Sequence, residues 1–329
     1  MQLITPVALP STAIRLTPRS VVMCAGSCFA DHMGERLRQS LPPQAVCVNP
    51  SGVLYNPISL SLSLDAWMQP SPTLLDEGMF QAGDRQFRHW LFSTRFEAAT
   101  PELLRPIIKE AHQQAHSHLL RSQVLFITFS TDHVFFLQTP DGNELPVANC
   151  HKMPSRLFSE QVVSGQAMLE RWQHTLRQLH VICPQLHVVF TLSPYRYVKH
   201  GLHQNALSKA RLLLLIDALC ETFPFVEYFP AYEIITDELR DYRFYAPDML
   251  HPSEQAVDYV WERFRTHYFT PALSEFAHEQ AQLLRDESHR PLHPESEAYR
   301  RFLLRCKERR QAFEEKWGLH SENHSTNSQ

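Results

Sequence analysis

An α/β architecture with a parallel sheet covered on both faces is what two observations predict. Short apolar runs recur at 20–27, 45–49, 123–130, 186–193 and 226–235, and their content (VVMCAGS, AVCVN, QVLFITFS, LHVVFTLS, VEYFPAYEII) is rich in β-branched and aromatic residues. Strands buried on both faces need that composition. Helical patterns lie between several of these runs, and alternating strands and helices favour a parallel sheet of roughly five strands with helices on either side. In such sheets the chemistry gathers beyond the carboxyl ends of the strands.

Taken in order, the first run gives way at Ala25-Gly26-Ser27-Cys28-Phe29-Ala30 to a helix over 31–41, with Met33 and Leu37 on one side. Ser27 and Cys28 are therefore expected at a helix N-terminus. Unpaired backbone N–H groups and the positive dipole end favour a thiolate or a developing oxyanion there. The bland alternative is a Ser cap followed by a buried cysteine. Residues 60–120 are rich in aromatics and Pro, contain His89-Trp90 and a helix over 101–120, and read as an inserted, lid-like segment. Residues 135–147, centred on Pro140-Asp141-Gly142-Asn143, read as a β-hairpin. Helices are predicted over 162–179 and 205–222, the second carrying Leu207, Leu212, Leu215 and Leu219. After 254 the chain turns strongly helical, over 254–268, 271–286 and 295–317. The expected organisation is a domain over 1–270, a helical extension over 271–319 that packs on the domain or supports a homodimer, and a polar, disordered tail over 320–329.

Composition narrows the function. The chain has 329 residues, 43% hydrophobic and 20% charged, as an ordinary globular protein does. A net charge of −4 gives no electrostatic footprint for nucleic acid. No apolar run is long enough to span a bilayer, and the N-terminus lacks the basic and apolar regions of a secretory signal. The seven cysteines are odd in number and scattered, which points to reduced thiols in a cytoplasm. With nine glycines and neither a P-loop nor a GxGxxG pattern, no nucleotide cradle and no cofactor are expected. His112, His116 and His118 have ligand-like helical spacing but no accompanying Glu, so no metal is expected.

The natural partner of the Ser27–Cys28 turn lies in Asp248-Met249-Leu250-His251-Pro252-Ser253, after the last predicted strand. A carboxylate three residues before a histidine can orient one ring nitrogen while the other serves a nucleophile. Asp248 and His251 with Cys28 or Ser27 therefore read as a hydrolase or acyl-transfer site. Oxyanion donors are sought at Gly52, where the backbone N–H is accessible, at Asn149, and at the nucleophile's own N–H. Arg196, after the fourth strand, is placed to hold a substrate carboxylate or phosphate, or to pin a loop. His151, beside Asn149, is a second substrate contact on this reading, and Ser208 or Lys209 can face the same crevice.

At these residues the sequence resembles the GSCFA family, a bacterial group placed with the SGNH/GDSL hydrolases. The resemblance rests on Gly26-Ser27-Cys28-Phe29-Ala30; Asn149-Cys150-His151-Lys152; Ser193-Pro194 with Arg196; Asn205 with Ser208-Lys209-Ala210; Tyr228-Phe229-Pro230 with Tyr232-Glu233; the run from Asp237 to Tyr245; and Asp248-Met249 with His251-Pro252-Ser253. It implies a flavodoxin-like three-layer α/β/α fold and a nucleophile–Asp–His site for ester chemistry, and it supplies no substrate. A small acyl ester or thioester, with a glycan acceptor compatible, is expected from the site residues themselves. Counting from Gly as in Gly-Asp-Ser puts Cys28 in the nucleophile position, whereas matching serine to serine selects Ser27. Ser130-Thr131 stands where Gly-Thr is expected, Tyr197 stands where histidine is more usual, and no Gly-x-Asn-Asp oxyanion segment is present, which leaves Asn149 as a substitute by position. The expectation is a cytoplasmic acyl esterase or O-acyltransferase. Its rival is a catalytically silent binding module of the same fold.

Overall fold

The computed structural model describes residues 4–71, 73–139, 141–289 and 295–319. The tail expected over 320–329, and Pro140 at the hairpin centre, lie outside the described residues. Strand β1 (Val22–Gly26) leads into α1 (Cys28–Arg38), then β2 (Val46–Val48) and α2 (Pro57–Trp67). A single turn, α3 (Leu74–Glu77), precedes the hairpin β3 (Met79–Gly83) and β4 (Gln86–His89), and α4 (Pro101–Arg121) leads to β5 (Val124–Phe129). Strands β6 (His133–Gln138), β7 (Glu144–Val147) and β8 (Phe158–Val162) form a separate antiparallel sheet. Helix α5 (Gly165–Ile182), β9 (His187–Leu192), α6 (Leu202–Thr222) and β10 (Val226–Tyr228) complete the main sheet. A short turn, α7 (Ala231–Glu233), is followed by α8 (Glu254–Tyr268), α9 (Pro271–Glu287) and α10 (Glu297–Trp317).

The main sheet has the order β10-β9-β5-β1-β2 and all its pairs are parallel, the flavodoxin-like order. Alternation along each strand sorts the core into two layers. Val22, Cys24, Val124, Phe126 and Val189 pack under α1, α8 and α9, against Phe29, Leu37, Phe264, Tyr268 and Phe276. Met23, Ala25, Leu125, Ile127, Phe129 and Phe190 pack on the other face against α2, α4, α5 and α6, through Leu60, Leu64, Leu119, Trp172 and Ile216. The result is three layers, as expected. Among the described residues no helix is long and apolar enough to cross a membrane.

Three features differ from the sequence expectation. The fifth run pairs only over Val226–Tyr228, because Pro230 follows and the chain turns helical through Tyr232 and Ile235. Val162, expected to open a helix, instead ends β8, which pairs with β6, so the helix begins after its Ser164 cap. The segment over 60–120 does not stand apart as a lid. Its ends, α2 and α4, belong to the helical layer on the sheet, because Leu60, Leu64, Trp67, Ala115 and Leu119 are core residues. At the C-terminal end, α10 lies on α9, with Phe313 against Phe276 at 5.0 Å and ion pairs Arg310–Glu287 and Lys316–Glu279. Gln280 of α9 donates to the Leu41 carbonyl at 3.1 Å and to that of Arg38, the last residue of α1, at 3.4 Å, which ties the extension to the end of the first helix.

Candidate active site

The first half of the site is fixed by the core. Gly26 ends β1 with φ +134, and a Cβ there would come within 2.2 Å of the Thr128 carbonyl oxygen on β5. Only glycine permits that approach. Its N–H donates to Asn49 Oδ1 at 2.7 Å, and Asn49 Nδ2 donates to Asp31 at 2.7 Å. Asn49 thus braces both sides of the turn that begins α1.

Within that turn the two neighbouring nucleophiles have different surroundings. Ser27 is fully buried and caps α1, its Oγ accepting from the Phe29 N–H at 3.3 Å. Cys28 is half-buried and lines a cleft of about 440 Å³ with Tyr55, Asn56, Asn149, Tyr195 and His251. Burial, with help from Asp31, raises the Cys28 thiol, while the N–H groups of Cys28 and Phe29 and the Lys209 charge favour its thiolate. At rest the balance is toward the protonated thiol, so attack by this sulfur would require a base.

His251 supplies the other half from a surface loop. The Asp248 carboxylate accepts from the N–H groups of Leu250 at 2.9 Å and His251 at 3.0 Å, and its second oxygen lies 2.5 Å from His251 Nδ1. These bonds, the backbone N–H of His251 first, hold Asp248 down at about 2. With Nδ1–H donating to Asp248, Nε2 is left as the basic nitrogen. The loop passes through a positive φ of 58 at Met249, and Ala246 N–H closes it on the His251 carbonyl at 2.7 Å. Tyr195 lies against the imidazole, with ring centroids 4.4 Å apart.

Arg196 takes the second of the two roles anticipated for it. Its N–H donates to Leu250 O at 3.0 Å, its guanidinium donates to Met249 O at 3.2 Å, and it lies over Tyr242 and Tyr245. It pins the histidine loop. Lys209 is fully buried and donates from Nζ to Ser130 O at 2.7 Å and Ser193 O at 2.8 Å, joining the carboxyl ends of β5 and β9. Burial pushes its ammonium down to about 7. Ser208 Oγ accepts from the Asp132 N–H at 3.2 Å and serves the loop after β5.

Two expected donors or contacts fall elsewhere. The Gly52 N–H donates to the Asn49 carbonyl at 2.7 Å and its α-carbon faces Ser93, so this glycine makes a turn with φ +82 and has no N–H to offer an oxyanion. His151 is buried edge-on against Phe80 and Trp90, and burial, then Arg88, pushes it down to about 4. It belongs to this aromatic packing and is not among the residues that line the cleft. Asn149 does line the cleft, and with Oδ1 accepting from the His151 N–H at 2.8 Å its Nδ2 is the end left to donate. The helical histidines are structural, since His112, His116 and His118 bond the carbonyls of Gln69, Trp67 and Val22. Tyr55, Asn56, Tyr195 and His133 also line the cleft and were not singled out in the sequence. Asn56-Pro57 at a helix start was the available signal, because Asn56 caps α2 by accepting from the Ser59 N–H at 2.8 Å.

Residues 21–264 match the GSCFA family, and residues 281–329 match the C-terminal domain of GSCFA domain proteins. The chain belongs to the GSCFA family. No curated protein matches it.

Proposed function

We propose that the protein is an acyl-transfer enzyme of SGNH type, an esterase or O-acyltransferase acting on a small acyl ester or thioester in a reducing, cytoplasmic setting. The observation that carries this reading is that Cys28, at the N-terminus of α1, and His251, oriented by Asp248, line one cleft beyond the carboxyl ends of β1 and β5.

In the first step Cys28 Sγ attacks the acyl carbonyl carbon as His251 Nε2 takes the thiol proton. The oxyanion is met by the N–H of Cys28 itself, since the Phe29 and Ala30 N–H groups are taken by Ser27, and by the Asn149 amide. Collapse expels the alkoxide or thiolate, which takes the proton from His251 and leaves a thioester on Cys28. Water, or an acceptor hydroxyl such as a glycan's, then attacks that thioester while His251 accepts its proton. The Cys28 thiolate leaves and recovers the proton. Ser27 serves this chemistry as the cap that fixes the turn.

Turnover of p-nitrophenyl acetate and acetyl thioesters tests the proposal. His251→Ala and Cys28→Ala are expected to reduce kcat by at least about a hundredfold. Unchanged kcat in either variant removes the proposed triad. The second reading, a silent binding module, is favoured by one observation: among the described residues no hydrogen bond joins Cys28 to His251. It predicts tight binding of an acyl ester with no turnover in the wild type.

A further inference from the structure

We propose that His133, Glu160 and His200 hold a single transition-metal ion of the zinc class at the wall of the cleft. Each offers one ligand atom, and the three atoms lie within 4.8 Å of one another. Glu160 Oε1 is 3.0 Å from His200 Nε2 and 3.5 Å from His133 Nδ1. Ligand atoms about 2.1 Å from a tetrahedral ion stand about 3.4 Å apart, so these two distances bracket what a zinc ion requires. The two imidazoles are stacked, with centroids 4.4 Å apart and planes within 6°, and both turn a ring nitrogen to the same carboxylate oxygen. Two histidines and a carboxylate with further positions open to water or substrate form a set that transition metals favour over calcium or magnesium.

The surroundings of His133 supply an independent observation. Its other nitrogen, Nε2, lies 4.0 Å from Asp132 Oδ1. Asp132 is fully buried and that oxygen has no hydrogen-bond partner, while its second oxygen is held by Arg211. A metal-bound histidine commonly donates its remaining N–H to a carboxylate, which fixes the tautomer and ring angle. A small rotation of the His133 ring completes that bond. Lys199 is the competitor: its Nζ lies 2.5 Å from Glu160 Oε2 and occupies the carboxylate that the ion would use. Tyr197, whose hydroxyl donates to Glu160 Oε1 at 3.4 Å, lines the cleft with His133, so the ion would stand beside the acyl site and apart from its nucleophile. The ligands come from β6, β8 and the loop before α6, three places too far apart in sequence to form a recognisable motif.

The test is titration of the untagged, chelator-treated full chain with zinc chloride by calorimetry, and with cobalt chloride by visible absorption. One-to-one binding and a ligand-field band of low-coordinate cobalt are expected. His133→Ala, His200→Ala and Glu160→Gln should each weaken binding by at least about tenfold, and Lys199→Met should tighten it severalfold by removing the competing ammonium. Glu160→Gln keeps the side-chain size, so it remains informative if a histidine variant folds poorly. No one-to-one binding by the wild type, or equal affinity in the Glu160→Gln and Lys199→Met variants, overturns the proposal.

Discussion

The turn carrying Cys28 and the loop carrying His251 face the same cleft but are held by opposite means. The Cys28 turn is an extension of the core: Gly26 lies against β5, Ser27 is fully buried, and Asn49 braces the turn from behind. The His251 loop is largely exposed and holds itself, through the Asp248 hydrogen bonds and the Arg196 clamp. Position is thus set by packing on one side and by local hydrogen bonding on the other. Damage to the first half should appear as lost stability, and damage to the second as lost activity.

The largest expected contrast comes from Gly26→Ala against His251→Ala. Alanine at 26 forces a methyl group into the Thr128 carbonyl at a φ that disfavours side chains. It should cost about 3 kcal/mol or more in urea unfolding, whereas His251→Ala should stay within about 0.5 kcal/mol of the wild type while abolishing turnover. Equal losses of stability would erase the distinction between the halves.

Arg196 sharpens the comparison. Arg196→Met removes the bond to Met249 O and loosens the loop without touching the core. A drop in kcat of about tenfold to a hundredfold, with Tm nearly unchanged, is expected, because misplacing a base by about 1 Å is costly. If KM rises instead with kcat intact, Arg196 binds substrate directly.

Acid stability separates both halves from the aromatic packing of His151 with Phe80 and Trp90. His151 titrates at about 4 in the folded protein, below the ordinary histidine value of 6.5. Between those values the unfolded chain takes up a proton that the native protein refuses, so stability falls as pH drops through 6.5 toward 4 and is unaffected by this group above that window. The loss should approach roughly 3 kcal/mol. His151→Phe should flatten that part of the pH profile in urea unfolding, and an unchanged slope would show that His151 is not the group responsible.

The smallest effect concerns the thiol itself. After burial, Asp31 is the main group raising Cys28. Asp31→Asn should therefore raise the rate of iodoacetamide alkylation at pH 7 severalfold, read by mass spectrometry. A slower reaction would mean that Asn49 needs the carboxylate to hold the turn.

What could be read from the sequence follows the same division. The buried strands were legible because four-to-eight-residue runs of β-branched and aromatic residues have few alternatives. The strand–Gly–Ser–Cys–helix junction and Asp248–His251 were legible because each is a contiguous motif. Ser27 and Cys28 could not be separated by spacing alone, since which of two adjacent side chains turns into the core depends on how α1 docks on β2 and β5. Gly52 was misassigned because a glycine's N–H appears free until its turn partner, Asn49, is seen. His151 looked like a contact through its neighbour Asn149, yet at φ 50 its side chain turns inward to Phe80 and Trp90. The cleft wall of Tyr55, His133 and Tyr195 comes from three separate loops and strands, and no local pattern announces it.

The most direct measurement is peptide-level mass spectrometry of the protein after brief exposure to p-nitrophenyl acetate and an acid quench. Acetyl on Cys28, retained in Ser27→Ala and absent in His251→Ala, is the predicted result. Acetyl on Ser27, or none on either residue, would contradict the assignment of Cys28 as the nucleophile.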